Sequence, residues 1–180
     1  LLLLAAAARW DHDDKPFLAG VALALLLFKP QFGVVLVPLL LITRRWRVLG
    51  GWAAAAAVLY GISTALMGGG WVKDWWNQAS GFRDLNVAAN GDNFVSLPGF
   101  LENLSSGESA VAVFAGYGIA AVFGLAVAYF WWRNPQGRAL ERYALAAAAV
   151  VVAAPQTLYY DAGLILLGLV AIRSQLGRRI

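Results

Sequence analysis

The 180-residue chain contains no cysteine and only one histidine. The first absence excludes a disulfide framework and thiol chemistry, and it leaves the redox compartment unread. No Ser-His-Asp set or zinc pattern is present around the single histidine, and no P-loop occurs. His12 stands in Trp10-Asp11-His12-Asp13-Asp14. Adjacent acids are poorly spaced for a metal cage, so neither a metal nor a cofactor is expected. Charge is also scarce. Charged residues make up 13% of the chain, hydrophobic residues 61%, and the mean hydropathy is +0.65. A soluble domain carries about 25% charged and roughly 45–50% apolar residues. An ordinary soluble globular domain is therefore excluded.

The hydrophobic residues form seven segments: 1–8, 17–28, 32–43, 48–68, 109–132, 139–154 and 157–172. Several approach the ~20 residues needed to cross a bilayer. The expected fold is all-α, a polytopic transmembrane helical bundle. It should have about six full membrane segments plus a truncated first one, some of them short broken helices. The expectation is one transmembrane domain over 1–180, with an extracytoplasmic amphipathic loop over 69–108. Residues 1–8 lack the charged n-region of a signal peptide. They read as a cut helix, so a fragment of a longer protein is expected.

Alternating the segments across a membrane sorts the 14 basic residues. Arg9, Lys15, Arg44, Arg45, Arg47, Arg133, Arg138, Arg142, Arg173, Arg178 and Arg179 share one face, and Lys29, Lys73 and Arg83 share the other. The positive-inside rule makes the first face cytoplasmic. The arginine clusters then read as orientation signals and contacts to anionic membrane lipids, and a nucleic-acid partner is not expected.

Lys29-Pro30-Gln31 interrupts the apolar run Ala24–Leu40. A lysine at the bilayer centre costs roughly 2.5–3.5 kcal/mol on insertion scales. Proline removes a backbone donor and disfavours helix at the residue before it. Both effects favour a hairpin turning at Lys29-Pro30 over the alternative, one kinked helix across 17–43. A 12-residue arm is about 18 Å long, against ~30 Å of hydrocarbon. Lys29 is therefore expected in a protein-lined recess below the outer surface.

A second break, Ala154-Pro155-Gln156, also falls on the outer side, and Tyr160-Asp161 follow it. An intramembrane acid is a functional-site hypothesis by default, and Lys29 is the opposite charge available to it. In the outer loop, Trp71, Trp75, Ala79 and Phe82 recur near helical spacing, as in a helix lying in the interface. Ser96-Leu97-Pro98 reads as the start of a short helix with Ser96 as N-cap. Gly50, Gly51, Gly61, Gly116 and Ala120 are expected to let helices pack closely.

The order of these features carries a resemblance. A leucine-rich helix ends in Lys-Pro-Gln, and the next closes with Arg44-Arg45-Trp46-Arg47. An outer loop then holds Asn93-Phe94-Val95-Ser96-Leu97-Pro98-Gly99, and Ala154-Pro155-Gln156 leads to Tyr160-Asp161. This resembles the C-terminal part of glycosyltransferase family 87, polytopic enzymes of the C-type glycosyltransferase fold. The resemblance implies a bacterial plasma-membrane enzyme. Its donor would be a polyprenyl-phosphate mannose or arabinose, and its acceptor a lipid or glycan on the outer face. Such enzymes carry their catalytic aspartate in the first outer loop, upstream of Leu1. Asp11, Asp13 and Asp14 fall on the cytoplasmic side, so no catalytic base is assigned.

The substrate-binding candidates are Lys29, Gln31, Asn93, Ser96, Gln156, Tyr160 and Asp161. Lys29 suits a lipid phosphate. Asp161 suits a sugar hydroxyl or Lys29 itself. Gln31 and Gln156 suit sugar hydroxyls or backbone freed by the prolines. Tyr160 also suits an interface anchor, and Asn93 and Ser96 suit turn and cap chemistry. The rival functions are a transporter or flippase, which also uses paired broken helices, and a non-catalytic assembly subunit.

Overall fold

A computed structural model describes residues 1–79, 93–105, 109–134, 138–154, 157 and 159–176. They are helical almost throughout, with no strand element among the described residues. The elements are α1 (Leu2–His12), α2 (Pro16–Ala24), a 3-10 turn (Leu25–Phe28), α3 (Gln31–Ile42) and α4 (Trp46–Met67). Residues 71–79 form α5. Then come α6 (Leu97–Leu104), α7 (Ala110–Arg133), α8 (Ala139–Ala153), a 3-10 stretch (Tyr159–Ile165) and α9 (Leu166–Leu176). Two boundaries differ from the periodicity. The first helix runs on through Arg9 to His12, and the last segment opens as a 3-10 stretch rather than an α-helix.

Two of these helices, α4 and α7, are long and apolar enough to cross a membrane on their own. Only 11% and 17% of their apolar windows are buried. A water-soluble core helix would be mostly covered, whereas these present Val58, Ile62, Leu66, Val111, Phe114 and Leu125 outward. Shorter apolar helices span Pro16–Phe28, Phe32–Ile42 and Asp161–Ala171. The buried core is drawn from α1, α2, α3, α7, α8 and α9, with Val48 of α4 and Leu26 and Leu164 of the 3-10 stretches, and is rich in alanine and leucine.

Lys29-Pro30 is the tip of a hairpin. Lys29 is extended (φ −120°, ψ 92°) and Pro30 caps α3, as steric exclusion from the helical region before proline requires. The decisive contact lies at the opposite end. Asp11, before α2, accepts from the Arg45 guanidinium, after α3, at 2.9 Å. The chain therefore leaves and returns to the same end, and a single kinked helix is excluded.

Asp11 is almost fully buried between two arginines. Arg45 Nη1 contacts both carboxylate oxygens, at 2.9 and 3.2 Å, and Arg142 Nη2 donates at 2.5 Å. Arg142 Nη1 also donates to the Asn134 carbonyl at 2.8 Å, and Trp131 Nε1 donates to the Arg142 carbonyl at 2.8 Å. One carboxylate thus joins the end of α1, the α3–α4 turn, the start of α8 and, through Arg142, the end of α7. We call this the basic end.

The connections here are tight. α1 and α3 finish in the same motif: Lys15 N–H donates to the Trp10 carbonyl at 2.7 Å, and Arg45 N–H to the Leu40 carbonyl at 2.9 Å. These six-to-one bonds close a Schellman cap, which needs a left-handed residue, usually glycine. Here Asp14 (φ 56°) and Arg44 (φ 54°) fill it. Each carries a cost of order 1–3 kcal/mol that the surrounding structure offsets.

Two glycines set the α2–α4 crossing. A Cβ on Gly20 would lie 1.9 Å from the Val48 carbonyl oxygen, and one on Gly51 would lie 2.0 Å from that of Phe17. Gly116 admits Pro98 of α6 in the same way, at 2.7 Å from its Cα. The expectation thus holds for Gly51 and Gly116 but not for Gly50 and Gly61, which face open space.

Two outcomes follow for stability. Gly51→Ala should destabilise by about 1–3 kcal/mol or more, because two backbones must part, whereas Gly50→Ala should be neutral or slightly stabilising by helix propensity. Thermal unfolding in detergent reads the contrast. In the same assay Asp11→Ala should cost about 3–5 kcal/mol by stranding two buried guanidiniums. Asp13→Ala, which breaks only the exposed Arg9 pair at 2.8 Å, should stay within about 1 kcal/mol.

Candidate functional site

The other end of the bundle gathers most of the candidate residues. α2 and its 3-10 turn carry Lys29 away from the basic end, and α8 carries the chain to Ala154 in the same direction. Fourteen residues of rise, from Lys15 to Lys29, put the two ends roughly 20 Å apart. After α8, Thr157 is buried and donates its hydroxyl to the Ala154 carbonyl at 3.0 Å. The 3-10 stretch then presents Asp161.

Lys29 Nζ donates to Asp161 Oδ1 in a direct ion pair that closes the hairpin tip against the chain after α8. Its members are separated by 132 positions in sequence. The lysine side chain is 25% exposed and the aspartate 12%, so the pair is shielded yet reachable. The expected approach of Lys29 to Asp161 is thus observed. An ammonium in such a recess has three rotatable donors and can serve more than one acceptor.

The segment before α6 joins the same end. Val95 N–H donates to the Thr157 carbonyl at 2.9 Å. Ser96 is fully buried and accepts from the Gly99 N–H at 3.3 Å, with Pro98 in the first turn. It is the N-cap that the sequence suggested, and its hydroxyl is held by that cap. Asn93 is exposed at the edge of this segment. Gln156 lies outside the described residues, as do the side chains of Gln31 and Tyr160.

α5 lies beyond α4 at this end. Trp71 Nε1 donates to the Thr64 hydroxyl at 3.0 Å and its ring sits 5.7 Å from Tyr60, so the first tryptophan folds back on α4. Trp75 and Trp76 remain exposed. Phe82, expected on the same stripe, lies outside the described residues.

Sequence reasoning missed the Asp11 cluster as a structural centre. It treated Arg142 as one of many orientation signals. Yet Arg142 stands inside the apolar helix α8 and is only 1% exposed. An arginine four residues into such a helix requires a carboxylate or carbonyl partner, and that requirement was the available signal. Beside it, the Tyr143 ring meets Trp131 edge-on at 5.3 Å. Among the described residues, no group of three or more His, Asp or Glu is placed to hold a metal ion.

No curated protein and no solved structure gives a match. The model of glycosyltransferase family 87 matches residues 1–155. That span takes in the Asp11 cluster, the Lys29 hairpin and the segment before α6, and the chain belongs to glycosyltransferase family 87.

Proposed function

We propose that this chain forms the donor-phosphate side of a membrane glycosyltransferase cleft, with Lys29 as the phosphate contact. The observation that carries the reading is the Lys29–Asp161 ion pair at the end opposite the arginines. Family membership supplies the reaction class, and the pair supplies a cation where a lipid phosphate would arrive.

The topology belongs to the same proposal. The shorter helices are paired through Lys29-Pro30 and through the Ala154–Asp161 connection, making about six spans with α4 and α7. The arginine-rich end then faces the cytoplasm by the positive-inside rule. The Lys29 end and the loop over 69–108 face outward. The exposed Trp75 and Trp76 suit the outer headgroup level.

In the reaction an acceptor hydroxyl oxygen attacks the anomeric carbon of a polyprenyl-phosphate sugar. The bond from that carbon to the phosphate oxygen breaks, and the electron pair leaves with the phosphate. The acceptor proton goes to a base to which no residue here is assigned. Lys29 turns from Asp161 to the phosphate and offsets the charge that grows on the leaving oxygen. Such a contact accelerates reaction because it strengthens as the bond breaks. Asp161, freed, accepts from a sugar hydroxyl, and Asn93 at the rim is placed for a further polar contact. Mannose and arabinose are the sugars the family resemblance suggests, with a lipid or glycan acceptor.

In the full-length enzyme, Lys29→Ala should lower turnover from a polyprenyl-phosphate sugar by about 10²-fold or more. Helical content should be retained and Lys29→Arg should recover part of the rate. Unchanged turnover removes the phosphate role. Since the chain has no cysteine of its own, single substitutions Lys73→Cys and His12→Cys can test sidedness with an impermeant thiol reagent. They should label from opposite faces of intact membranes. Labelling from the same face sinks the orientation.

A further inference from the structure

The basic end holds a cleft that the reaction does not use. It has a volume of about 790 Å³ and lies between the α1–α2 turn, the α3–α4 turn and the start of α8. Arg44, Arg45, Arg47 and Arg142 line it, against the carboxylates of Asp11 and Asp14. Four guanidiniums and two carboxylates leave two positive charges. Arg45 and Arg142 are committed to Asp11. Arg44 and Arg47 pair with no carboxylate among the described residues.

Three further observations point to an anion. Pro16, Trp46 and Ala139 all line the cleft, and each opens a helix. None of these three helices has a side-chain cap, and their N-caps are Lys15, Arg45 and Arg138. Basic residues at helix starts oppose the dipole, while an anion there is favoured by both dipole and side chains. Second, Arg44 holds a left-handed position (φ 54°) that glycine fills more easily. The turn itself does not account for an arginine at this position.

The third observation names the source of the anion. A groove of about 450 Å³ between α3, α7 and α8 is lined almost wholly by apolar side chains, Val34, Pro38, Ile42, Tyr117 and Leu125 among them. Groove and cleft adjoin at consecutive residues, Ile42 in the groove and Thr43 in the cleft. Trp46 stands 60% exposed beside them. An apolar groove and a cationic cleft lined by consecutive residues, with an exposed tryptophan in the cleft wall, match the two chemistries of a phospholipid.

We infer that the cleft binds the phosphate headgroup of an anionic membrane phospholipid, with its acyl chain in the α3–α7–α8 groove. The site is separate from the donor cleft at the other end. Arg44 and Arg47 supply the free guanidiniums, which match phosphate with paired donors, and the Asp11 triad fixes the wall behind them. The inference rests on the membrane reading above and on no detail of the sugar chemistry.

The test follows the thermal midpoint of the purified chain in detergent as phosphatidylglycerol, phosphatidylcholine or inorganic phosphate is added. Phosphatidylglycerol should half-saturate the shift at a concentration at least about tenfold below phosphatidylcholine, each basic contact contributing a few-fold. The double variant Arg44→Gly, Arg47→Gln should lose that preference. Glycine suits the left-handed turn, so the fold is kept. Arg9→Gln removes a charge at the same end but outside the cleft and should leave the preference intact. Equal response to the two lipids overturns the inference. So does a preference that survives the double variant, or one that falls as far with Arg9→Gln. Inorganic phosphate shifting the midpoint as effectively as the lipid overturns the lipid as occupant. Recovery of the expressed chain outside the membrane fraction refutes the membrane reading itself. A membrane-bound chain without lipid preference refutes the inference alone.

Discussion

One buried carboxylate organises this molecule. Asp11 is the acceptor on which Arg45 and Arg142 converge, and through them it fixes where five helices begin or end. Two guanidiniums buried without it would face a desolvation penalty of several kcal/mol each. Asp11 buried without them would face the same. The three groups therefore hold one arrangement or none. That constraint brings the α2–α3 arms back to a common base and places Lys29 at the far tip. Close approach of α2 and α4 at Gly20 and Gly51 completes the frame, because it lets two backbones meet without intervening side chains.

Much of this was legible in the residues. The apolar runs located the helices to within a few positions because hydrophobicity is averaged over many side chains. Lys29-Pro30 was legible as a turn because proline acts locally on the residue before it. The meeting of Lys29 with Asp161 could be anticipated as well, since an apolar chain offers few opposite charges. The alternation of segments carried the grouping of arginines at one end.

Other features depended on distances that sequence does not encode. Gly50 and Gly51 are neighbours, yet one meets a carbonyl and the other open space. A helix turns 100° per residue, and only the crossing geometry decides which glycine it uses. The Asp11 triad joins positions 11, 45 and 142, and its carboxylate sits in a run of three acids with equal claims by composition. Ser96 was legible as a cap because capping is local. Whether Asn93 or Gln31 meets a sugar is set by a substrate that neither pattern nor packing contains.

The two ends of the hairpin are held very differently. At its base, α2 and α3 are tied by a charge triad, two Schellman caps and a glycine crossing. At its tip, Lys29 pairs with Asp161 while Leu26 and Phe32 on either side of it are buried in the core. The root is closed to exchange, whereas the tip carries a partly exposed ion pair beside its buried apolar contacts. A ligand that supplied its own anion would compete for the ammonium at the tip and leave the buried charges of the root untouched.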